Sequence, residues 1–409
     1  MTMSEQPQFD ILVVGGGMVG SALALGLSRQ GWNVGLVEGA DRKALMQDPE
    51  EALSVEDFDP RVSAISVASQ RLLEQLGVWP DITAGRHCPY QTMTVWDGDG
   101  TGRIQFEAAE LRAPALGTII ENRRIVRALF DALADSAVTL IDGVRVSGWW
   151  QDGHTRGIRL EDGQTFGARL VVAADGAHSR LRQWVGLPTR EWDYGQQAIV
   201  CTVRTAQSHR YTAWQRFSPT GPLAFLPLLS ESGDEHFCSI VWSQDTEEAR
   251  RLMGLDDHAF KAELERAIER ELGAVDLVSR RYAFPLRQRH AKEYIAPGFA
   301  LVGDAAHTIH PLAGQGANLG YGDVRALLDE LASARSKGID PDNELVLARY
   351  QRRRKGENLA MMAAMEGFKH LFGRDELTVR WLRNTGMRWL NQLGPIKNRI
   401  AAEAMGLDA

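Results

Sequence analysis

Residues 11–38 read as a strand, a glycine-rich turn, a helix and a second strand. Ile11-Leu-Val-Val14 is an apolar run bounded by glycine, the pattern of a buried parallel strand. It leads into Gly15-Gly-Gly-Met-Val-Gly20, a G-x-G-x-x-G carried by Gly15, Gly17 and Gly20, with Ala24 and Gly31 beyond it. Gly15 permits the tight turn, Gly17 lets the backbone approach a pyrophosphate, and Gly20 with Ala24 allows close helix–sheet packing. The helix that follows points its first amides at the phosphates. Glu38 closes the second strand, where its carboxylate can accept both ribose hydroxyls and repel a 2′-phosphate. The stretch predicts a dinucleotide site; the pattern fits FAD and NAD alike.

The 409 residues, 44% hydrophobic and 24% charged, are enough for two or three domains with a real core. A formal charge of −7 argues against nucleic acid as a partner. Cys88, Cys201 and Cys238 are too few and too scattered for a disulfide scaffold, a zinc ribbon or a C-x-x-C redox pair, and they suit a reducing cytosol. Residues 1–10 lack the pattern of a signal peptide, and no apolar run reaches the roughly 18 residues of a membrane span. A cytoplasmic protein is expected, attached at most to the inner face of a membrane.

Two further constellations share the physical character of the first. Phe299-Ala-Leu-Val-Gly-Asp304 reads as a strand ending in a carboxylate, followed by Ala305-Ala-His-Thr-Ile-His-Pro311 and Gly314-Gln-Gly-Ala-Asn-Leu-Gly320. Leu170-Val-Val-Ala-Ala-Asp-Gly-Ala-His-Ser-Arg-Leu-Arg182 is a strand, a tight Asp-Gly turn and a helix start. Together they resemble the class A flavoprotein aromatic hydroxylases of the para-hydroxybenzoate hydroxylase fold. The G-D-A-A-H-x-x-x-P-x-x-G-Q-G-x-N motif is matched from Gly303 to Asn318, and A-D-G-x-x-S-x-x-R at Asp175, Gly176, Ser179 and Arg182. The resemblance implies FAD as cofactor, NAD(P)H as reductant and O2 as co-substrate. It implies that Asp304 binds the ribityl chain and that the loop through Pro311, Gly314, Gln315 and Gly316 faces the flavin pyrimidine. It also implies that Asp175 lies by the pyrophosphate and that Arg61 and Arg123 reach towards the cofactor.

The implied fold is α/β: an FAD-binding Rossmann-like domain of para-hydroxybenzoate hydroxylase type, with an inserted antiparallel β-sheet substrate domain and C-terminal helices. The flavin motifs divide the chain into 1–185 and 281–350 for the cofactor domain, 186–280 for the substrate sheet and 351–409 for the helical end. Gln196–Val203, Tyr211–Phe217, Gly221–Leu228 and Phe237–Trp242 alternate or carry aromatic residues, as antiparallel strands do, and residues 90–106 are expected to add strands. Leu223, Phe225 and Pro227 are candidates for the substrate pocket, with sheet core the equal alternative. Asp304, His307 and His310 at three-residue spacing are explained by the flavin motif, so no metal is expected. No G-x-S-x-G elbow occurs, and the W-x-W-x-I-P pattern of the flavin halogenases is absent.

Within this class the chain is most similar to the ubiquinone-biosynthesis hydroxylases, over nearly its whole length. Gly15–Gly20, Asp59-Pro-Arg-Val-Ser-Ala-Ile-Ser66 and Gly303–Asp323 carry the likeness, although Gly322 stands where an arginine is common. Gly77-Val-Trp79, Phe106–Leu111, Trp214–Pro222, Ala224–Leu228 and Ala404–Leu407 are most like the branch acting on 2-polyprenyl-3-methyl-6-methoxy-1,4-benzoquinol. The resemblance implies ring hydroxylation through a flavin C4a-hydroperoxide. 2-Polyprenylphenol or 2-polyprenyl-6-methoxyphenol as substrate, or a flavin reductase or dehydrogenase of the same fold, remain the alternatives. His310 is the candidate base for the ring hydroxyl. Residues 378–402 hold Arg380, Arg383, Arg388, Lys397 and Arg399, no acid, and interleaved Trp381 and Trp389. That basic amphipathic stretch suggests a bilayer surface or a complex of ubiquinone-biosynthesis proteins, with packing on the flavin domain the alternative.

Overall fold

The strand Phe9–Val14 (β1) is covered on both faces, as its unbroken apolar run requires. The computed structural model describes residues 8–41, 54–308, 316–373, 389, 391 and 393–405. β1 lies inside an eight-stranded sheet with β2 (Val34–Glu38), β8 (Thr139–Asp142), β9 (Val146–Asp152), β10 (Thr155–Leu160), β11 (Thr165–Ala173), β18 (Ile295–Ala296) and β19 (Phe299–Leu301). The strands run in the order β18-β19-β11-β1-β2-β8, parallel from β19 to β8, while β9 and β10 form an antiparallel extension on β11. Because β1 is flanked by β2 on one side and β11 on the other, the crevice beyond their C-terminal ends is a topological switch point, the usual ligand position in such sheets.

Helices α1 (Met18–Arg29), α2 (Val67–Gln75), α3 (Trp79–Thr83) and α4 (Asn122–Ala134) belong with this sheet, as does α5 (Arg180–Val185) after β11. Gly26 of α1 lets Leu328 close in: a Cβ there would lie 2.6 Å from Leu328 Cδ1. That contact seats α8 (Gly316–Ser336) against α1, and α9 (Glu344–Gly373) packs on α8.

A nine-stranded sheet carries β5 (Thr92–Asp97), β6 (Arg103–Glu107), β12 (Thr189–Thr205), β13 (Thr212–Ser218), β14 (Gly221–Leu228), β15 (Phe237–Asp245), β16 (Val275–Val278), β17 (Tyr282–Ala291) and β20 (His307–Thr308). It therefore runs on to Ala291 and takes back two residues after the Gly-Asp turn, beyond the boundary at 280. Side-chain alternation splits it into two cores. Ile199, Cys201, Leu223, Phe225, Ile240 and Trp242 pack on α6 (Thr246–Met253) and α7 (Asp257–Ala267). Ala213, Ala224, Leu226, Leu228 and Phe237 face the other way, onto Phe58 and a small sheet of β3 (Val62–Ile65), β4 (Cys88–Tyr90) and β7 (Gly117–Glu121).

The last helix, α10 (Gly394–Met405), packs Ala401 and Met405 inward and lies against β6 and residues 108–111. Lys397 is buried there, donating to Gln105 O at 2.9 Å and pairing with Glu110 at 2.8 Å. Trp389 and Ile396 remain exposed. Trp381, Arg380, Arg383 and Arg388 lie outside the described residues. Among the described residues no helix is long and apolar enough to cross a membrane.

Candidate functional site

Gly15 ends β1 at φ +108, and a Cβ on it would fall 2.3 Å from Ala174 O. A Cβ on Gly20 would fall 1.9 Å from Gly15 O, so α1 crosses its own turn at a distance only glycine allows. Gly17 caps α1 without any side-chain bond, and nothing lies within 4 Å of where its Cβ would stand. The helix thus opens its unpaired amides onto free space. Glu38, at the end of β2, accepts Gly16 N at 2.5 Å and Ala40 N at 2.8 Å, holding its carboxylate at the rim. The cleft at the C-terminal ends of β1, β2 and β11 measures about 440 Å³ and is lined by Gly15, Gly17, Glu38, Arg145, Asp175 and Trp184, among others.

Asp175 follows β11. One of its oxygens accepts Leu181 N at 3.3 Å; the other is buried with no hydrogen-bond partner. Burial pushes this carboxyl above the usual range, against the opposing bonds from Ser179 and the backbone. Ser179 caps α5 by accepting Arg182 N at 3.0 Å. Arg182 then reaches Ala305 O at 2.7 Å, which ties this motif to the Gly303–Asp304 turn. That turn is also bound to α1 and α8: Cβ atoms on Gly303 and Gly320 would stand 3.2 and 2.5 Å from the methyls of Val19. Asp304 is exposed at this junction, and Gly316 opens α8 with nothing within 4 Å of its Cβ position. His310, Pro311, Gly314 and Gln315 lie outside the described residues.

Asn318 links α8 to β3, donating to Ala64 O at 2.8 Å and accepting Ser66 N at 3.0 Å. Arg61, just before β3, is exposed, and its backbone N donates to Asp59 at 2.9 Å. Arg123 is engaged differently: its guanidinium bonds Glu121 at 2.7 Å and the carbonyl of Asp57, and its amide bonds Asp59 at 3.2 Å. Glu121 also accepts Asp59 N at 2.6 Å and Arg86 Nε at 2.9 Å. The carboxylate of Glu121 is thus the hub that shapes the Asp57–Arg61 segment. Sequence reading named the arginine at 123 and missed the acid two residues before it and Arg86.

The pocket candidates on β14 need correcting. Leu223 and Phe225 belong to the core under α6 and α7, and alternation puts Pro227 on that same outer face. Ala224, Leu226 and Leu228 are the residues of β14 that face the cofactor domain.

Behind the Gly303–Asp304 turn lies a buried polar network that sequence reading also missed. His307 Nε2 donates to Asp323 Oδ2 at 2.5 Å, and Gly303 N donates to the same oxygen at 2.9 Å. Arg354 Nε donates to Asp323 Oδ1 at 2.7 Å and Arg354 Nη2 to Asn358 at 2.9 Å. Asn358 continues to the Tyr294 hydroxyl at 3.2 Å, which meets His290 Nε2 at 2.9 Å. A Cβ on Gly322 would stand 2.7 Å from Arg354 Nη2, so the missing side chain at 322 leaves room for a guanidinium arriving from α9.

Burial in this network, with His307, Lys355 and Arg190 adding like charge, pushes the His290 imidazole down from 6.5 to about 4. Folding keeps His290 neutral, so on acidification the unfolded chain takes up the proton first. Stability is therefore expected to be complete above pH 6.5 and to fall by up to about 3 kcal/mol as pH drops towards 4. Urea melts from pH 7 to 4.5 check this; a His290→Gln protein with the same acid slope as the parent would refute it.

A dinucleotide cleft at the switch point of a parallel sheet, beside a second, mostly antiparallel sheet, is the arrangement of an oxidoreductase that binds FAD or NAD. Residues 8–363 match the FAD binding domain family. The chain is 39% identical over 406 residues to the 3-demethoxyubiquinol 3-hydroxylase of Escherichia coli strain K12, covering 99% of this chain and 100% of that one. It is 37% identical to the ubiquinone hydroxylase UbiL of Rhodospirillum rubrum, over 99% and 91% of the two chains. The crystal structure of PqsL, a probable FAD-dependent monooxygenase from Pseudomonas aeruginosa, superposes with a TM-score of 0.75 at 24% identity, over 93% and 99% of the chains. The chain belongs to the FAD binding domain family and, within it, to the FAD-dependent monooxygenases of ubiquinone biosynthesis.

Proposed function

We propose that the chain hydroxylates the aromatic ring of 2-polyprenyl-3-methyl-6-methoxy-1,4-benzoquinol. The observation that carries this reading is the end-to-end likeness to the 3-demethoxyubiquinol 3-hydroxylase. The cleft suits FAD on physical grounds: open space over Gly17 and Gly316, an unpaired buried oxygen on Asp175, and a rim carboxylate on Glu38.

In this reading the amides after Gly17 hold the pyrophosphate, with Gly15 and Gly20 giving the turn its shape. Glu38 takes the adenosine ribose, and Asp304 takes the ribityl chain. Asp175 and Arg61 approach the cofactor from β11 and β3, and Gly316, at the start of α8, is assigned to its ring together with Pro311, Gly314 and Gln315, which lie outside the described residues. Arg123 serves by fixing the Asp57–Arg61 segment through Glu121 and Asp59. Bound FAD supplies the redox chemistry, taking electrons from NAD(P)H and activating O2 for transfer to the ring. The protein contributes position and dryness; the apolar residues of the inner sheet face keep water from the reacting ring. His310 is the candidate to accept the proton of the ring hydroxyl.

The test is reduction without oxygen, admission of ¹⁸O2, and mass spectrometry on a short-chain demethoxylated benzoquinol. A product heavier by one labelled oxygen is expected. Oxygenation of a 2-prenylphenol alone would move the substrate to another branch of the family. NAD(P)H oxidation with verified substrate turnover and no label would point to a reductase or dehydrogenase.

A further inference from the structure

The inner face of the nine-stranded sheet carries a polar group that the protein leaves unpaired. Gln215 sits on β13 between Trp214, which packs in the outer core, and Arg216, which pairs with Glu269 at 3.1 Å and Gly98 O at 3.0 Å. Alternation turns Gln215 to the opposite side, the side of Ala213. It is only 5% exposed, and among the described residues its carboxamide makes no hydrogen bond.

Its surroundings are small and apolar. Gln215 is in register with Ala224, Ala224 with Val241, and Val241 with Val200. In the next row Leu226 faces Ser239, whose buried hydroxyl also lacks a partner. This face looks onto Phe58 and Ala64, and Ala64 is the residue that Asn318 bonds at the N-terminus of α8. The unpaired amide therefore lies on the side of the sheet that meets the cofactor domain, in a wall otherwise suited to a flat apolar ring.

The geometry points to Gln215 as the residue that recognises an oxygen of the aromatic ring and sets the ring's orientation, an inference that rests on the hydroxylase reading above. A carboxamide donates and accepts, so it complements a quinol hydroxyl beside a methoxy oxygen. A nearly buried carboxamide that makes no bond among the described residues is complemented when a ligand oxygen meets it.

The experiment uses the FAD-loaded protein and its flavin absorbance to titrate, without oxygen, a short-chain 2-prenyl-3-methyl-6-methoxy-1,4-benzoquinol and the same ring lacking both hydroxyls and the methoxy group. Gln215→Leu is expected to weaken quinol binding by about tenfold or more and to leave the oxygen-free ring unchanged. FAD content and melting temperature should stay at parent values or rise. Gln215→Met repeats the test if leucine packs badly. Unchanged quinol binding in either folded variant would overturn the inference, as would equal losses for both rings or loss of FAD in both variants. If the parent protein accepts only phenols and Gln215→Leu weakens those, the substrate reading falls and the role of Gln215 stands.

Discussion

Gly20→Ala is expected to purify without FAD, whereas Gly17→Ala is expected to fold normally and bind FAD at least tenfold more weakly. The two glycines stand three residues apart but are constrained by different things. At Gly20 the obstacle is the protein: an alanine Cβ would fall 1.9 Å from Gly15 O, backbone that cannot rotate away. α1 must then lift from β1, and both its amides and the turn at Gly15 move with it. At Gly17 the protein offers no obstacle, since φ is −68 and no atom lies within 4 Å of the Cβ position. Losing a glycine N-cap costs the apoprotein no more than about 1 kcal/mol. The added methyl instead occupies the approach of the ligand. Melting temperatures of the apoproteins and FAD titrations by fluorescence separate the cases. A Gly17→Ala protein with parental FAD affinity would show that the pyrophosphate does not sit on this turn.

The cofactor half of the chain was legible because its constraints are local. A strand, a turn that needs φ above zero and a helix start fall within ten residues, and the glycines at 15 and 20 report contacts that any larger residue would break, while Gly17 leaves the turn open. The substrate half was legible as strands and illegible as faces. Leu223, Phe225 and Pro227 alternate with Ala224, Leu226 and Leu228, and both sets are apolar because both faces of β14 are covered. Hydrophobic periodicity cannot tell an inner from an outer face when neither meets water. Gln215 could have broken that symmetry, being the polar residue between Trp214 and Arg216, but a glutamine in a strand reads from sequence as a solvent residue.

The interactions that assemble the site are long-range, which is why sequence reading passed over them. Asp323 and Arg354 are separated by 31 positions, Arg86 and Glu121 by 35, and Arg182 and Ala305 by 123. The tail shows the same limit. Its basic residues suggested a surface ligand, yet Lys397 pairs with Glu110 across 287 positions of chain. Gly322 was visible only as a departure from the family's usual arginine; the fold gives the reason, since Arg354 fills the space from α9.

Arg354→Met is expected to cost about 3–5 kcal/mol, among the largest effects of any substitution outside the cleft. Asp323 is fully buried. Burial alone would push its carboxyl up, but His307 and Arg354 outweigh it and hold the group below the usual carboxylate range. Without the guanidinium, a buried carboxylate keeps only His307, Gly303 N and a 3.4 Å contact from Asn358. Lysine should not rescue it, because one ammonium cannot reach Asp323, Asn358 and Leu319 O together as the guanidinium does. The double variant Asp323→Asn, Arg354→Met removes both charges and is expected to recover part of the loss, since much of the penalty belongs to the abandoned partner. The effect reaches the site because Gly303 N is held by Asp323, so the turn carrying Asp304 loosens with the pair. FAD retention should fall with stability in Arg354→Met and partly return in the double variant. Urea midpoints and bound flavin per chain measure both. A single variant that melts like the parent would mean the network does not hold the turn, and a double variant no better than the single would place the cost in packing instead of charge.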